Sequence, residues 1–191
     1  RITLNPNLRP FYHGVESGDP TEDHMILWTR VTPDTGATGD IEVFWQVATD
    51  TGFTNVVNYG KAVATEDNHY TVKVDVCGLQ PATFYYYMFI ALGRKSSVGR
   101  TKTAPSATSN NDRVRFAVVS CASWEHGYFK AYQSIVNKNN VDAVVHLGDY
   151  IYEYESGGFS GNVGGRTYDP PTECTTEVRY ELRYSHYKLV D

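Results

Sequence analysis

The fold is decided by residues 113–154, which begin Arg-Val-Arg-Phe-Ala-Val-Val-Ser-Cys and end His-Leu-Gly-Asp-Tyr-Ile-Tyr-Glu-Tyr. Two short apolar runs lie in this stretch, at Phe116–Val119 and Val141–Leu147. Both are rich in β-branched residues and too brief for ordinary helices, so they predict buried strands. Residues 128–136 between them carry apolar side chains at helical spacing, which predicts a helix. Strand, helix and strand over about thirty residues form a parallel crossover unit.

Reactive side chains follow each of the two predicted strands. Cys121 comes after the first strand, and Asp149 and Tyr152 come after the second. In a parallel unit, functional groups lie just beyond the carboxyl ends of the strands. A thiolate, a carboxylate and a phenolate at one sheet edge are a ligand set suited to a transition metal. The alternative interpretations are a helix cap for Asp149 and a small buried thiol for Cys121.

The first half of the chain has the pattern of an antiparallel β-sandwich. A Leu-x-Pro-x-Thr-x-Tyr motif at residues 79–85 matches the tyrosine corner, in which the phenol hydroxyl bonds back to the upstream backbone. Roughly seven short strands at this spacing favour an immunoglobulin-like or fibronectin III-like sandwich over residues 1–104. The clearest strand candidates are Met25–Val31, Ile41–Val47, Val56–Tyr59, Tyr70–Val76, Tyr86–Ile90 and Val98–Thr103.

A second domain is expected over residues 113–191. Ala104–Asp112 is polar and small, as in a linker. The fold class is therefore mixed, a β-sandwich followed by the start of an α/β domain. A final helix is predicted at Glu177–Leu189, with its inward stripe at Val178, Leu182, Ser185 and Leu189.

Composition narrows the possible functions. The net charge of −5 argues against non-specific nucleic-acid binding, which needs a basic surface. No apolar run approaches the roughly 20 residues of a membrane-spanning helix. No signal peptide opens the sequence, so we expect that any export signal was removed or never included. Three cysteines leave at least one thiol unpaired, and a disulfide between Cys77 and Cys174 stays open.

Two longer motifs resemble a known family. Residues 120–132 read Ser-Cys-Ala-Ser-Trp-Glu-His-Gly-Tyr-Phe-Lys-Ala-Tyr, and residues 146–153 read His-Leu-Gly-Asp-Tyr-Ile-Tyr-Glu. The second contains the Gly-Asp-x-x-Tyr motif of metallophosphatases, and together they resemble the PhoD-like alkaline phosphatases. Upstream, His-Gly-Val-Glu-Ser-Gly-Asp-Pro at 13–20 and Leu-Trp-Thr-Arg-Val-Thr-Pro at 27–33 resemble that family's N-terminal domain.

The resemblance implies an exported, extracellular or periplasmic, phosphatase and phosphodiesterase that uses Fe³⁺ and Ca²⁺. It implies that Cys121, Asp149 and Tyr152 bind iron and that Asp149 also reaches calcium. By the same resemblance, 113–191 is a truncated metallophosphatase domain whose remaining ligands lie in a C-terminal segment. This chain alone is therefore expected to be inactive toward phosphate esters, and preference for monoesters or diesters stays open.

Two other interpretations of the chain compete with this one. The chain could be an inactive β-sandwich that serves as a binding or adhesion module. An α/β enzyme of the haloalkane or nitrile type is disfavoured because no Gly-x-Ser-x-Gly elbow occurs. Among single residues, His146 is expected to be a satisfied core histidine, and Tyr150 and Tyr154 to be packing residues. Glu153 could support the site or face solvent, and Arg166 could meet a phosphate or only water.

Overall fold

The computed structural model describes residues 4–34, 38–110, 113–159 and 164–189. The structure is mostly β-sheet with two helices. The chain divides into two compact units, one within residues 4–111 and the other within residues 112–191. In the described part of the chain, every helix is too short or too polar to cross a bilayer.

The first unit contains two antiparallel sheets. One sheet has the order β1 (Val15–Gly18), β2 (Met25–Arg30) and β5 (Thr71–Val76). The other has the order β4 (Val56–Ala64), β3 (Ile41–Ala48) and β6 (Phe84–Ala91), and β6 also pairs with β7 (Arg94–Lys95) and β8 (Gly99–Lys102).

Both sheets contribute to one apolar core. Buried residues alternate with half-buried ones along β2 and with more exposed ones along most of β3, because successive side chains of a strand point to opposite faces. Leu27 from the first sheet and Val43 and Phe89 from the second lie in the same buried cluster. The tyrosine corner is confirmed, since the Gln80 amide donates to the Tyr85 hydroxyl at 2.8 Å. This bond fixes the chain where it enters β6.

One strand of this unit is longer than predicted. The sequence indicated a short strand at Val56–Tyr59, whereas β4 continues to Ala64 and pairs with the whole of β3. The reason is Gly60, whose missing side chain leaves room for the Trp45 ring. A Cβ there would lie 2.6 Å from the ring. A glycine inside a strand pattern thus marks a close approach and not a strand end.

The second unit has the predicted strand–helix–strand order. Strand β9 (Phe116–Val119) is followed by α1 (Lys130–Lys138) and β10 (Ala143–His146), and the two strands pair in parallel. A second helix, α2, spans Glu177–Lys188. The core of this second unit is built from α2 and the loops that follow the strands.

The prediction that these two strands are buried is wrong. Phe116 is 58% exposed, Val118 is 60% exposed, and Leu147 just after β10 is 70% exposed. A sheet of two strands has two faces to cover, and the described residues of this unit provide only α1, α2 and loops. The apolar pattern therefore correctly predicts strands but not their burial in this chain.

The predicted inward stripe of α2 is also wrong. Val178 is 64% exposed and Leu182 is 53% exposed, whereas Arg183, His186 and Tyr187 are buried. These three residues share one helix face, since they are spaced by three and four. The helix has turned a polar and aromatic face toward the loops beside the strand ends.

Candidate metal centre at the strand ends

The loops that follow β9 and β10 are joined by main-chain hydrogen bonds. The Leu147 amide donates to the Val119 carbonyl at 2.9 Å, continuing the parallel ladder. Beyond it, the Cys121 amide donates to the Gly148 carbonyl at 3.2 Å, and the Ala122 amide donates to the Asp149 carbonyl at 2.9 Å. Cys121 and Asp149 are therefore neighbours because of the strand register.

Of the three residues predicted as ligands, two contact one carboxylate oxygen of the third, Asp149. The Cys121 thiol donates to Asp149 Oδ2 at 3.5 Å, and the Tyr152 hydroxyl donates to the same Oδ2 at 3.4 Å. The oxygen–oxygen contact is long for a hydrogen bond of this type. The side chains are thus close together without being tightly bonded to one another.

The backbone at the site adopts uncommon conformations. Cys121 has φ 59° and Asp149 has φ 52°, both in the left-handed region. Such a conformation costs roughly 1–3 kcal/mol for a residue with a side chain, and it is concentrated at functional sites. Gly148, with φ 120°, adopts its conformation at lower cost because it lacks a Cβ. The turns direct both side chains to the same sheet edge.

The electrostatic setting keeps the phenol protonated in the absence of a cation. Burial, the hydrogen bond with Cys121 and the charge of Asp149 all raise the pKa of Tyr152. A nearby cation acts in the opposite direction, because it stabilises the ionised form of the phenol. The pKa of Tyr152 is therefore raised mainly because burial disfavours the ionised phenol, and the charge of Asp149 adds to this effect.

The donor set fits ferric iron better than calcium. Two of the donors, the phenolate and the carboxylate, are anionic oxygens, and the third is a thiolate, which suits iron and not calcium. Within the described ranges, no group of three or more His, Cys, Asp or Glu residues could hold a metal ion. A cation held at this edge would therefore need Tyr152 as its third donor, and among the three residues only Asp149 offers calcium a carboxylate.

His146 has hydrogen-bond partners at both ring nitrogens, as predicted, but it is half-buried and lies outside the core cluster of this unit. Its Nε2 lies 3.0 Å from the Tyr132 hydroxyl, and its Nδ1 accepts the Gly148 amide at 3.2 Å. Tyr150 packs near the rings of Tyr184 and His146, which agrees with the packing role predicted for it. Burial raises the pKa of Tyr150 to about 12. The histidine thus supports the turn that carries Asp149.

Arg166 has partners of its own within the unit. Its guanidinium lies 3.4 Å from the centre of the Trp124 ring and donates to the Gly127 carbonyl. This contact gives the arginine a packing role and does not support a phosphate site there. The cysteines Cys77, Cys121 and Cys174 are all free.

The sequence interpretation missed Arg183, which is fully buried. Its guanidinium donates to the carbonyls of Tyr152, Tyr154, Pro170 and Thr172. A lone arginine in a helical pattern is usually assigned to a solvated face, and its neighbours in sequence gave no contrary signal. Only the three-dimensional position of the loops shows the role.

Comparison with known proteins gives one consistent result. Residues 3–105 match the family described as PhoD-like phosphatase, N-terminal domain, and residues 116–190 match PhoD-like phosphatase. Alkaline phosphatase D of Bacillus subtilis (strain 168) is 38% identical over 194 residues, covering 98% of this chain and 33% of the relative. A solved structure of PhoD superposes with a TM-score of 0.89 at 38% identity, over 98% of this chain and 37% of that one. The chain thus spans about a third of the length of this curated relative.

Proposed function

Because the chain belongs to the PhoD-like phosphatase family, we propose that it is part of an exported, metal-dependent phosphatase that hydrolyses phosphate monoesters and diesters. The observation that carries this proposal is the convergence of Cys121 and Tyr152 on Asp149 Oδ2 at the ends of two parallel strands. The family match over 116–190 disfavours the alternative of an inactive binding module.

The proposal includes an assignment of the two units. Residues 1–104 form an immunoglobulin-like or fibronectin III-like sandwich, supported by the two antiparallel sheets and the tyrosine corner. Residues 113–191 form the first part of a metallophosphatase α/β domain, supported by the parallel β9–β10 pair and the intervening α1. The exposed apolar side chains of β9 and β10 would then be covered by a C-terminal segment that also supplies further ligands.

Cys121, Asp149 and Tyr152 would hold one Fe³⁺, and Asp149 would also be shared with Ca²⁺. When bound, these cations supply Lewis acidity that stabilises negative charge developing on a phosphoryl group. The protein side chains must first release protons, because the thiol and the phenol are ligands only when ionised. Asp149 orients both acidic protons toward a single oxygen. Iron uptake should consequently strengthen as the pH rises.

The ligand assignment is tested with a pair of phenylalanine substitutions. Ferric iron added to the chain as its nitrilotriacetate complex should give visible absorption from phenolate-to-iron charge transfer. Tyr152→Phe should remove most of this absorption, while Tyr150→Phe, a neighbour without a ligand role, should keep it. Cys121→Ala should lower the iron content. The assignment is wrong if Tyr150→Phe bleaches the protein and Tyr152→Phe leaves it coloured.

The activity is tested by assaying aryl phosphate monoesters and diesters with iron and calcium present. A form of the protein that extends past residue 191 should hydrolyse them, and Asp149→Asn should abolish hydrolysis. The 191-residue chain alone should show little turnover, since it offers only three of the expected ligands. Turnover of about 1–10³ per second by this chain would show that the catalytic groups lie elsewhere. An iron-loaded longer form without hydrolysis would refute the proposed function.

A further inference from the structure

We propose that Arg183 is a positioning residue for Tyr152, fixing the phenol beside Asp149 through the main chain of the loop. This inference rests on the proposed function, since it concerns how one of the proposed ligands is held. Arg183 lies on α2, thirty-one residues from Tyr152 in sequence, and contacts the loop by hydrogen bonds to its carbonyl oxygens.

The guanidinium bridges two loop segments with its two terminal nitrogens. One nitrogen donates to the carbonyls of Tyr152 and Tyr154, the latter at 3.1 Å. The other donates to the carbonyls of Pro170 at 2.7 Å and Thr172 at 3.2 Å. A planar guanidinium is suited to this task because its donors point in fixed directions from one rigid group. Arg183 therefore sets the distance between the two segments.

The burial of Arg183 indicates a specific role. Its relative exposure is 0%, and its guanidinium lies 4.1 Å from the centre of the Tyr168 ring. A buried cation is costly to desolvate unless it is hydrogen-bonded, and here carbonyl oxygens accept from both terminal nitrogens, while the buried Nε has no hydrogen-bond partner. An arginine needed only for packing would not require four acceptors from two segments. The geometry is that of a group that holds irregular backbone in one place.

The loop has little regular structure to fix it otherwise. Residues 149–154 contain no helix or strand. Residues 149–154 lie beside the segment 171–174. The Cys174 amide of that segment donates to the Glu153 carbonyl at 2.8 Å. Arg183 donates to carbonyls of both segments that this bond joins. The main chain at Tyr152 is thus held on α2, and the direction of the phenol follows from it.

The same face of α2 reaches the loop that carries Cys121. The Tyr187 hydroxyl accepts the Trp124 amide at 3.1 Å, three residues after Cys121. His186 Nδ1 accepts the Asp169 amide at 2.9 Å, which fixes the segment before Pro170. The buried face of α2 therefore contacts both strand-end loops. Arg183 is the member of this face that bonds directly to the residue bearing a proposed ligand.

The test compares Arg183→Lys with the wild-type chain and with Phe129→Leu. Lysine keeps the positive charge but cannot bridge both segments as a planar fork does. Phe129→Leu is the control because it loses ring contacts with Trp124 and Tyr187 in the same core without touching the 152–154 carbonyls. Iron affinity is measured by competition with nitrilotriacetate, the charge-transfer absorption is measured per bound iron, and thermal unfolding is measured in parallel.

We expect Arg183→Lys to lower iron affinity about 10–100-fold, the range seen when a residue that orients a ligand is lost. We also expect weaker absorption per bound iron, because Tyr152 is then less well placed. Phe129→Leu should lower the unfolding temperature but keep both iron properties. Equal effects of the two variants, or normal iron binding by Arg183→Lys, would overturn the inference.

A second variant covers the case in which Arg183→Lys does not fold. Tyr168→Leu removes the ring against which the guanidinium lies while leaving Arg183 in place. It should lower iron affinity in the same direction but less, and unchanged affinity and absorption would contradict the assigned role. If the wild-type chain binds no iron, the proposed function fails and the role of Arg183 fails with it. If the wild-type chain binds iron and both variants bind it equally well, only the role of Arg183 fails.

Discussion

Acid should destabilise the second unit through His186, which is 2% exposed. Its Nδ1 accepts the Asp169 amide, and its ring centre lies 3.9 Å from that of Trp124. Burial lowers the pKa of His186 from 6.5 to about 4; the charge of Asp169 opposes this shift, and the charge of Arg183 adds to it. The native state therefore holds this histidine neutral and resists protonation until strongly acidic pH.

The direction and size of the effect follow from the two pKa values. Between about pH 6.5 and pH 4 the unfolded chain binds a proton at His186 and the folded chain does not. Unfolding is then favoured by acid, so stability is complete above about pH 6.5 and falls as the pH drops toward 4. The full difference is about 3 kcal/mol, a large part of the stability of a small unit.

The assay is urea unfolding at pH 7.0, 5.5 and 4.5, followed by fluorine NMR of a protein in which 5-fluorotryptophan replaces the three tryptophans. The Trp124 resonance reports on the second unit, while Trp28 and Trp45 report on the first. His186→Asn is the control, because its amide oxygen can accept the Asp169 amide as Nδ1 does but does not titrate. In His186→Asn, the free energy of unfolding of the second unit should fall much less between pH 7.0 and pH 4.5 than it does in the wild-type chain. An unchanged pH dependence in His186→Asn would refute the reasoning.

Two further predictions concern the first unit and are checked by thermal unfolding. Tyr85→Phe should lower the free energy of unfolding by about 1 kcal/mol, because the Gln80 amide loses its partner in the tyrosine corner while the ring still packs. No change in unfolding temperature would show that the corner bond contributes nothing. Gly99→Ala should lower the free energy of unfolding by about 2 kcal/mol, since a Cβ there would lie 2.2 Å from the buried Tyr87 ring. Gly18→Ala, with nothing within 4 Å of the added atom, is its control and should be close to neutral.

Much of the fold could be predicted from the sequence because the signals are local. Alternation identified β3 and β5, and the Leu-x-Pro-x-Thr-x-Tyr motif identified a specific hydrogen bond. The short strands β1 and β7 were missed. Val15–Gly18 has one apolar residue in four, and Arg94–Lys95 has none, so periodicity carries no signal there. Both are strands because neighbouring strands pair with them.

The proximity of the proposed ligands could also be predicted, because it follows from strand order. Parallel pairing of β9 with β10 places residues that follow the two strands at the same edge. Cys121 and Asp149 are therefore brought together by topology. The position of Tyr152 could not be predicted from strand order, since its loop is irregular and is contacted by Arg183 of α2. No pattern along residues 149–154 indicates where that loop is held.

The orientation of α2 shows why an apolar stripe was the wrong guide. Burying Val178 and Leu182 would gain about 1.5–3 kcal/mol for each side chain. Turning that face inward would withdraw Arg183 from four loop carbonyls, and each hydrogen bond from a charged group contributes about 1.5–3 kcal/mol. Four such bonds outweigh two aliphatic side chains, so the helix buries its polar face. Periodicity counts the apolar residues of a helix, but it does not count the backbone groups that the surrounding loops leave unpaired.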